Sequence, residues 1–324
     1  MVSGEKIIAL LNAYYNEDSS KIRTIALQIA AEEAKKGHTN IAKEIKELVN
    51  KNRSNITKIR EVNRISSKPP YMNISYPDTL IENMILSDEV EGQINKIINE
   101  FKNQKKLQKY GLTNRRKILL IGPPGTGKTM TSSVIASELS LPLYSIQLDQ
   151  LLTKFLGETS KKLREVFNYV NNNPGVYLFD EFDAIGSDRS MDNEIGEMRR
   201  ILNTFLVLLE KDSSNSLLIS ATNNPQLLDE ALFRRFDEVI HYFEPNRDEI
   251  YSIYHNFFIN YDINLYITKE LVITSDGLSH AEILNVCNEF LKDKILTDIN
   301  ADETYLINLI NKRKFIYHKS NKEA

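Results

Sequence analysis

Ile118-Leu119-Leu120-Ile121-Gly122-Pro123-Pro124-Gly125-Thr126-Gly127-Lys128-Thr129 decides how this chain is read. The apolar run Ile118 to Ile121 is short and stops at a glycine, as a strand buried on both faces of a parallel sheet does. The glycines beyond it let backbone amides turn inward around an anion with no Cβ in the way. Lys128 would reach the β- and γ-phosphates of a nucleotide, and the hydroxyl of Thr129 would ligate Mg²⁺. A helix from about Gly127 through Met130 to Leu139 would point its positive end at the same anion. The stretch is a complete P-loop, G-x-x-x-x-G-K-T, in a strand-loop-helix context. It nominates Gly122, Pro123, Pro124, Gly125, Thr126, Gly127, Lys128, Thr129 and Met130 as ATP-binding residues.

A second apolar strand, Val176-Tyr177-Leu178-Phe179, runs into the adjacent carboxylates Asp180 and Glu181. Successive side chains at a strand end project differently, so Asp180 can hold Mg²⁺ while Glu181 polarises the attacking water. An acidic pair alone is a weak signal; downstream of a P-loop it is a strong one. Around these two stretches the sequence alternates further strands (Pro142 to Gln147, Leu217 to Ala221, Val239 to Phe243) with helices (Glu158 to Asn171, Glu194 to Asp212). That order predicts a doubly wound parallel sheet with its ligand at the carboxyl ends of the strands. Past Pro245 the pattern is helical only, which predicts a separate lid.

With these motifs placed, the chain resembles the AAA+ ATPases, and within them the AAA clade proper, over about Pro77 to Ile310. The resemblance implies that Ile219-Ser220-Ala221-Thr222-Asn223 is the sensor 1 strand, with Asn223 placing the lytic water. It implies that Arg234 and Arg235, in Ala231-Leu232-Phe233-Arg234-Arg235-Phe236-Asp237, are arginine fingers reaching the γ-phosphate held by a neighbouring subunit. Lys154-Phe155-Leu156-Gly157 resembles pore loop 1, in which Phe155 would press on an extended polypeptide, Leu156 would pack beside it and Gly157 would leave room for a turn; taken alone, a Phe-Leu pair is core more often than not. The stretch from Ser187 to Glu197, with Arg189, Asp192, Asn193 and Glu194, would supply a second, polar pore loop. Gly277-Leu278-Ser279-His280-Ala281-Glu282 is similar to the lid segment that meets the adenine, with Gly277 and Ala281 at the nucleotide. His280 stands where glycine is usual and reads as a partly exposed structural histidine.

The flanks are less informative. Lys6 to Asn50 is helical in pattern, with apolar positions such as Ile7, Leu11, Ile25, Ile29, Ile41, Ile45 and Leu48 at helix spacing. It predicts a small bundle over residues 1–65, either a substrate- or adaptor-binding module or a packing element. Residues 66–79 read as a linker from Ser66-Ser67-Lys68-Pro69-Pro70. The stretch from Leu80 to Tyr110 reads as helical, residues 80–245 form the α/β nucleotide-binding domain, and residues 246–324 form the lid. The basic residues Lys51, Arg53, Lys58, Arg60 and Arg64 read as a solvated helix face.

The 324 residues carry a net charge of -3, which disfavours a general nucleic-acid binder because such affinity comes from phosphate neutralisation. The single cysteine, Cys287, excludes an internal disulfide. No apolar run approaches a membrane span and Met1 to Lys6 does not begin a signal peptide, so a cytoplasmic protein with no membrane partner is expected. No H-E-x-x-H or G-x-S-x-G occurs, so no recognised peptidase motif travels with the ATPase. The tail His318 to Ala324 lacks the hydrophobic-Tyr-any ending with which some family rings dock on a protease. The resemblance implies a Mg²⁺-dependent ATP hydrolase forming a homo-oligomeric ring, a hexamer in the family pattern, that threads protein substrates alone or for a separate protease or effector. The competing expectation is a nucleotide-controlled assembly switch for an effector or nucleic-acid complex, with no translocation; a nucleic-acid translocase ranks third. Substrate identity is not legible.

Overall fold

The computed structural model describes residues 68–151, 156–185, 192–227, 230–297 and 302–320, with the isolated positions Ile25, Ile29, Ala30 and Ile41. The chain divides into two compact units, Met1–Ser67 and Lys68–Ala324. In the first, the four described residues are helical, and Ile25 and Ala30 are buried. The rest of the expected bundle, and the basic residues from Lys51 to Arg64, lie outside the described residues.

The second unit is built on a six-stranded sheet of order β1-β3-β4-β5-β2-β6. Its strands are β1 (Met72–Ser75), β2 (Lys117–Ile121), β3 (Leu143–Ile146), β4 (Val176–Phe179), β5 (Leu217–Thr222) and β6 (Glu238–His241). All pairings are parallel except β1 with β3, which is antiparallel with Met72 opposite Ile146. The central strands are apolar throughout because both faces of the sheet are covered, as the short hydrophobic runs predict. Alternation divides β2 between two cores. Leu119 and Ile121 meet Phe167 and Val170 of α5 (Leu156–Asn172) and Phe205 and Leu209 of α6 (Asp192–Lys211). Ile118 and Leu120 meet Ile94 and Ile97 of α1 (Asp88–Lys102) and Ile135 of α3 (Lys128–Glu138). Each such side chain, fully buried, contributes about 1.5–3 kcal/mol of transfer free energy.

Two expectations need correction. The stretch read as linker over 66–79 contains β1, an edge strand in which Met72 is buried and Asn73, Ile74 and Ser75 are exposed. Tyr71 anchors its start by donating its hydroxyl hydrogen to Glu165 at 2.7 Å, with Lys162 over the ring face. A strand this short, with a single core residue, has too little alternation to be seen; its pairing is decided by the free edge of β3. The stretch from Leu80 to Tyr110, expected to be helical, is helical only in parts. A 3₁₀ turn at Ile81–Asn83 gives way to extended backbone at Met84, α1 starts afresh after Ser87, and α2 (Gln104–Gln108) follows. Ser87 caps α1 by accepting from Val90 N at 3.4 Å, and Asp88, Glu89 and Glu91 fill its first turn, a helix-start signal that the apolar spacing had overridden.

Between β3 and α5 lies the short α4 (Leu148–Leu151), and α7 (Glu230–Phe233) precedes β6. Beyond β6 every described element is helical: α8 (Arg247–Asn260), α9 (Lys269–Ser275), α10 (His280–Leu296) and α11 (Glu303–Ser320). These helices enclose a third core of Ile253, Tyr254, Phe257, Ile283, Phe290 and Ile310, among others. Cys287 is buried there, and burial pushes its thiol up to about 12, an inert structural cysteine. Among the described residues no helix is long and apolar enough to cross a membrane.

Candidate functional site

The P-loop leaves β2 at Gly122 and closes at Gly127, the N-cap of α3. At Gly122 a Cβ would fall 2.4 Å from the carbonyl oxygen of Tyr242, so only glycine lets the loop lie against the end of β6. At Gly125, φ is +77° and a Cβ would meet Ser279 Oγ at 2.5 Å. The absent side chain allows the lid to touch the loop, and Ala281 N donates to Gly125 O at 3.0 Å. Thr126 braces the loop from within by donating to Pro123 O at 2.8 Å.

Lys128 is 6 % exposed, and its ammonium group donates to the carbonyls of Gly122 and Pro123, both at 2.7 Å. Burial lowers its pKa, while the carboxylates of Asp180 and Asp183 pull it back up. A buried ammonium whose direct partners are neutral carbonyls leaves room for an anion, and a phosphate at the loop amides supplies one.

Thr129 Oγ1 donates to Asp180 Oδ2 at 2.6 Å, so the two expected metal ligands are adjacent. A hydroxyl oxygen beside a carboxylate, with phosphate oxygens to complete the shell, is a donor set for a hard divalent cation such as Mg²⁺. Glu181 follows at φ +52°, a left-handed conformation uncommon for a residue other than glycine, and it is exposed. Its neighbours explain how that backbone is held. Phe179 and Phe182 are fully buried on either side, with ring centroids 5.1 and 4.7 Å from that of Phe205, and Glu181 N donates to Asp180 Oδ1 at 2.9 Å. A strained residue clamped by a packed core is a common sign of a functional carboxylate.

Strand register brings the third segment alongside. Phe179 pairs with Ser220 and Ile121 with Thr222, so β4, β5 and β2 end next to one another. Asn223, directly after β5, is exposed at that edge. The link between them is Asp183, which sequence reasoning missed: its Oδ1 accepts from Thr222 Oγ1 at 3.2 Å and from Asn223 N at 3.5 Å. The signal was present as a third carboxylate in Asp180-Glu181-Phe182-Asp183, but spacing alone does not say that it faces the next strand. Tyr242 was also missed. Its hydroxyl lies 2.5 Å from Thr131 Oγ1, tying the end of β6 to α3, and burial raises it to about 12.

Residues 118–243 match the model of the ATPase family associated with various cellular activities, AAA. An uncharacterised AAA family ATPase of Sinorhizobium fredii, y4kL, is 30 % identical over 310 residues, 91 % of this chain and 90 % of the relative. This chain belongs to the AAA family of ATPases. An ATP-dependent zinc metalloprotease FtsH of Rhodothermus marinus is 34 % identical over 216 residues, which cover 62 % of this chain but only 30 % of that protein. The crystal structure of the FIGL-1 AAA domain shares the fold, with a TM-score of 0.59 at 22 % identity over 82 % of this chain and 95 % of that one. A second FIGL-1 AAA structure, in complex with ADP, gives 0.57 at 23 % identity over 80 % and 89 %.

Other residues expected of an AAA ATPase fall in several places. Arg234 and Arg235 lie in the turn after α7, both exposed, and Arg235 pairs with Glu210 of α6. They are not brought to the P-loop. Asp237, two residues on, accepts from Arg116 N and Lys117 N at 2.8 and 3.0 Å, which fixes this turn at the start of β2. The P-loop is at the far end of the same strand, about 16 Å away at ~3.3 Å per residue. Lys154, Phe155 and Ser187 to Met191 lie outside the described residues. Leu156 and Gly157 open α5, so Gly157 is helical where a turn was expected. Asp192, Asn193 and Glu194 begin α6.

A cavity of about 500 Å³ opens beside Thr126, Gly127 and Met130. One wall is the segment Glu82 to Ile85, where the 3₁₀ turn gives way to extended backbone at Met84, another is α8 with Asn256 and Phe257, and the third is His280, Leu284 and Asn288, spaced four residues apart along one face of α10. Its volume and mixed lining, with Ile253, Phe257 and Leu284 beside Asn256 and Asn288, suit a nucleoside. Gly277, at φ +82°, turns the chain into α10, and Ala281 binds the loop; neither lines the cavity, whose α10 wall is His280, Leu284 and Asn288.

Proposed function

We propose that this chain hydrolyses ATP with Mg²⁺ and works as a ring, hexameric as the family pattern implies, in which cycles of hydrolysis pull polypeptide through a central pore. The observation that carries the reading is the position of Arg234 and Arg235. The subunit assembles the P-loop, Asp180, Glu181 and Asn223 at one end of the sheet and keeps both arginines at the other. A phosphoryl-transfer site gains greatly from a cation at the γ-phosphate beyond its lysine, and a neighbouring subunit is the source that this geometry permits.

Within one site the proposed roles are these. Lys128 and the loop amides hold the phosphates, Thr129 and Asp180 present the oxygens for the metal, and Glu181 takes the proton of the attacking water. Asn223, steadied through Asp183, orients that water. Bound Mg²⁺ neutralises charge developing on the phosphate oxygens. Support for a protein substrate comes from the likeness to FtsH, named as a protease. Where degradation is the end, a separate protease or effector is the partner proposed.

Phe155→Ala tests the threading. Basal ATPase turnover should stay within about threefold, because the nucleotide site is untouched, while stimulation by an unfolded polypeptide should disappear and Phe155→Tyr should keep it. Unchanged stimulation by polypeptide would overturn threading and favour the assembly switch. A fall in melting temperature together with every activity, from a cavity costing about 3–5 kcal/mol, would instead make Phe155 a core residue.

A further inference from the structure

Tyr242 touches both ends of the phosphate loop. At the start, its N–H donates to Ile121 O at 2.7 Å, and its own carbonyl occupies the space that a Cβ on Gly122 would need. At the end, its hydroxyl lies 2.5 Å from Thr131 Oγ1. The direction of that bond follows from the next one. Thr131 Oγ1 gives its single hydrogen to Gly127 O at 3.1 Å, so the Tyr242 hydroxyl is the donor and Thr131 the acceptor. Burial raises the phenol to about 12, which keeps its proton in place throughout the neutral range. Gly127 is the N-cap of α3 and has no side chain with which to cap it. Its carbonyl is fixed instead by Thr131, which donates to it from its amide at 2.9 Å as well as from its hydroxyl. The helix start is thereby held from its carbonyl side, and the amides of the first turn, which no helix satisfies internally, are left for an anion.

We propose that Tyr242 is a positioning residue for the phosphate loop: through Thr131 it fixes Gly127, and with it the first turn of α3, from which Lys128 and Thr129 reach the phosphates and the metal. The inference rests on reading this loop as the phosphate site, and on neither the ring nor the threading. Both hydroxyls are buried, so a lost partner is not replaced by bulk water, and the loss is felt where the hydrogen-bond chain ends, at Gly127. Gly127, at φ +101°, has no side chain to pack, so hydrogen bonds are what steady it. The place of Tyr242 in the chain gives the contact its reach. It directly follows β6, and the lid begins four residues later at Asn246, the cap of α8. The lid meets the loop again at its middle, where Ala281 N donates to Gly125 O. The start, middle and end of the loop are thus all fastened to chain that leads into the lid or belongs to it.

Equilibrium ADP binding and steady-state ATP hydrolysis by the full chain test this, with the melting temperature measured beside them and Lys128→Ala as the control for the phosphate site. Tyr242→Phe keeps the ring in its core and removes only the hydroxyl. It should weaken ADP binding about three- to tenfold and raise KM for ATP to match, with turnover at saturating ATP within about twofold, because Glu181 and Asn223 lie off this hydrogen-bond chain. Thr131→Val should do the same, and Thr131→Ser, which keeps the hydroxyl, should bind nearly as the wild type does. Either change breaks the same chain of bonds, so the double variant should bind no more than about twofold worse than the weaker-binding single variant. ADP affinity unchanged in Tyr242→Phe and Thr131→Val, whatever their melting temperatures, would overturn the proposal and leave the pair a packing contact. Losses that multiply in the double variant, an equal loss in Thr131→Ser and Thr131→Val, or a turnover that falls further than binding would each overturn it too. Should Tyr242→Phe fail to fold, the two Thr131 variants decide. A wild type with no measurable ADP affinity, or with an affinity that Lys128→Ala leaves unchanged, would instead overturn the phosphate-site reading on which the proposal rests.

Discussion

Asp183 shows how a site of few residues depends on one that touches no substrate. Its single oxygen holds the Thr222 hydroxyl and the Asn223 amide, joining the loop after β4 to the end of β5. Removing it should free Asn223 from register with Glu181 while sparing Lys128, Thr129 and Asp180. Asp183→Ala is therefore expected to lower turnover about tenfold with ATP affinity within about twofold, and Asp183→Asn, which keeps an acceptor oxygen, should restore most of the rate. Glu181→Gln beside it should bind ATP normally and lose about 10²–10⁴-fold in turnover, if Glu181 is the proton acceptor as proposed. A proportional loss of ATP binding in Asp183→Ala would show that its role is to hold the phosphate loop. At this scale the sequence was legible where chemistry demands a residue type at fixed spacing, as in Gly125, Lys128, Thr129 and Asp180. It was silent on Asp183 and Tyr242, since each acts across a distance of tens to more than a hundred positions in the chain. The left-handed backbone of Glu181 was equally hidden, being imposed by the packing of Phe179 and Phe182.

The elements divide by how much burial they carry. β2, β4 and β5 are covered on both faces and were read from hydrophobicity alone; β1 buries one residue of four and was not. The same contrast explains the segment before α1. Ile81 to Leu86 is apolar enough to continue a helix, yet the cap at Ser87 and the acidic turn after it start α1 later, leaving Met84 extended over the nucleotide cavity. The lid begins with a stronger device. Asn246 accepts from the amides of Asp248 and Glu249 at 2.9 and 3.0 Å, and Glu249 returns a carboxylate to Asn246 N at 2.9 Å. Asn246→Ala removes one half of that reciprocal cap and should cost about 1 kcal/mol, a drop of about 2–4 °C in melting temperature. Asn246→Asp should be close to neutral. If the melting temperature holds in both, α8 is fixed by its core residues Ile250, Ile253 and Tyr254 and the cap adds nothing measurable.

For the whole molecule the deciding fact is that one strand separates the phosphate site from the arginines. A single subunit cannot fold Arg234 back along about 16 Å of β2 without releasing Asp237 from the start of that strand, so its own nucleotide is out of reach. Arg234 has no ion pair among the described residues, whereas Arg235 is held by Glu210 in an exposed pair worth about 0–1 kcal/mol, which a phosphate could displace. Arg234→Ala should therefore leave nucleotide affinity within about twofold and lower turnover about 10³-fold, and Lys128→Ala should abolish binding. If neighbouring subunits share the site as proposed, neither variant is active alone and the two defects lie in different halves of it. In mixed assemblies, some interfaces pair an intact P-loop from the Arg234→Ala subunit with an intact arginine from the Lys128→Ala subunit. Activity should then rise above either parent and peak near equal proportions. Mixed assembly confirmed by co-sedimentation with no rise at any ratio would remove Arg234 from the neighbouring site. The same experiment with Arg235→Ala ranks the two: a full rescue requirement for Arg234 and a partial one for Arg235 is expected, since only Arg235 must first leave Glu210.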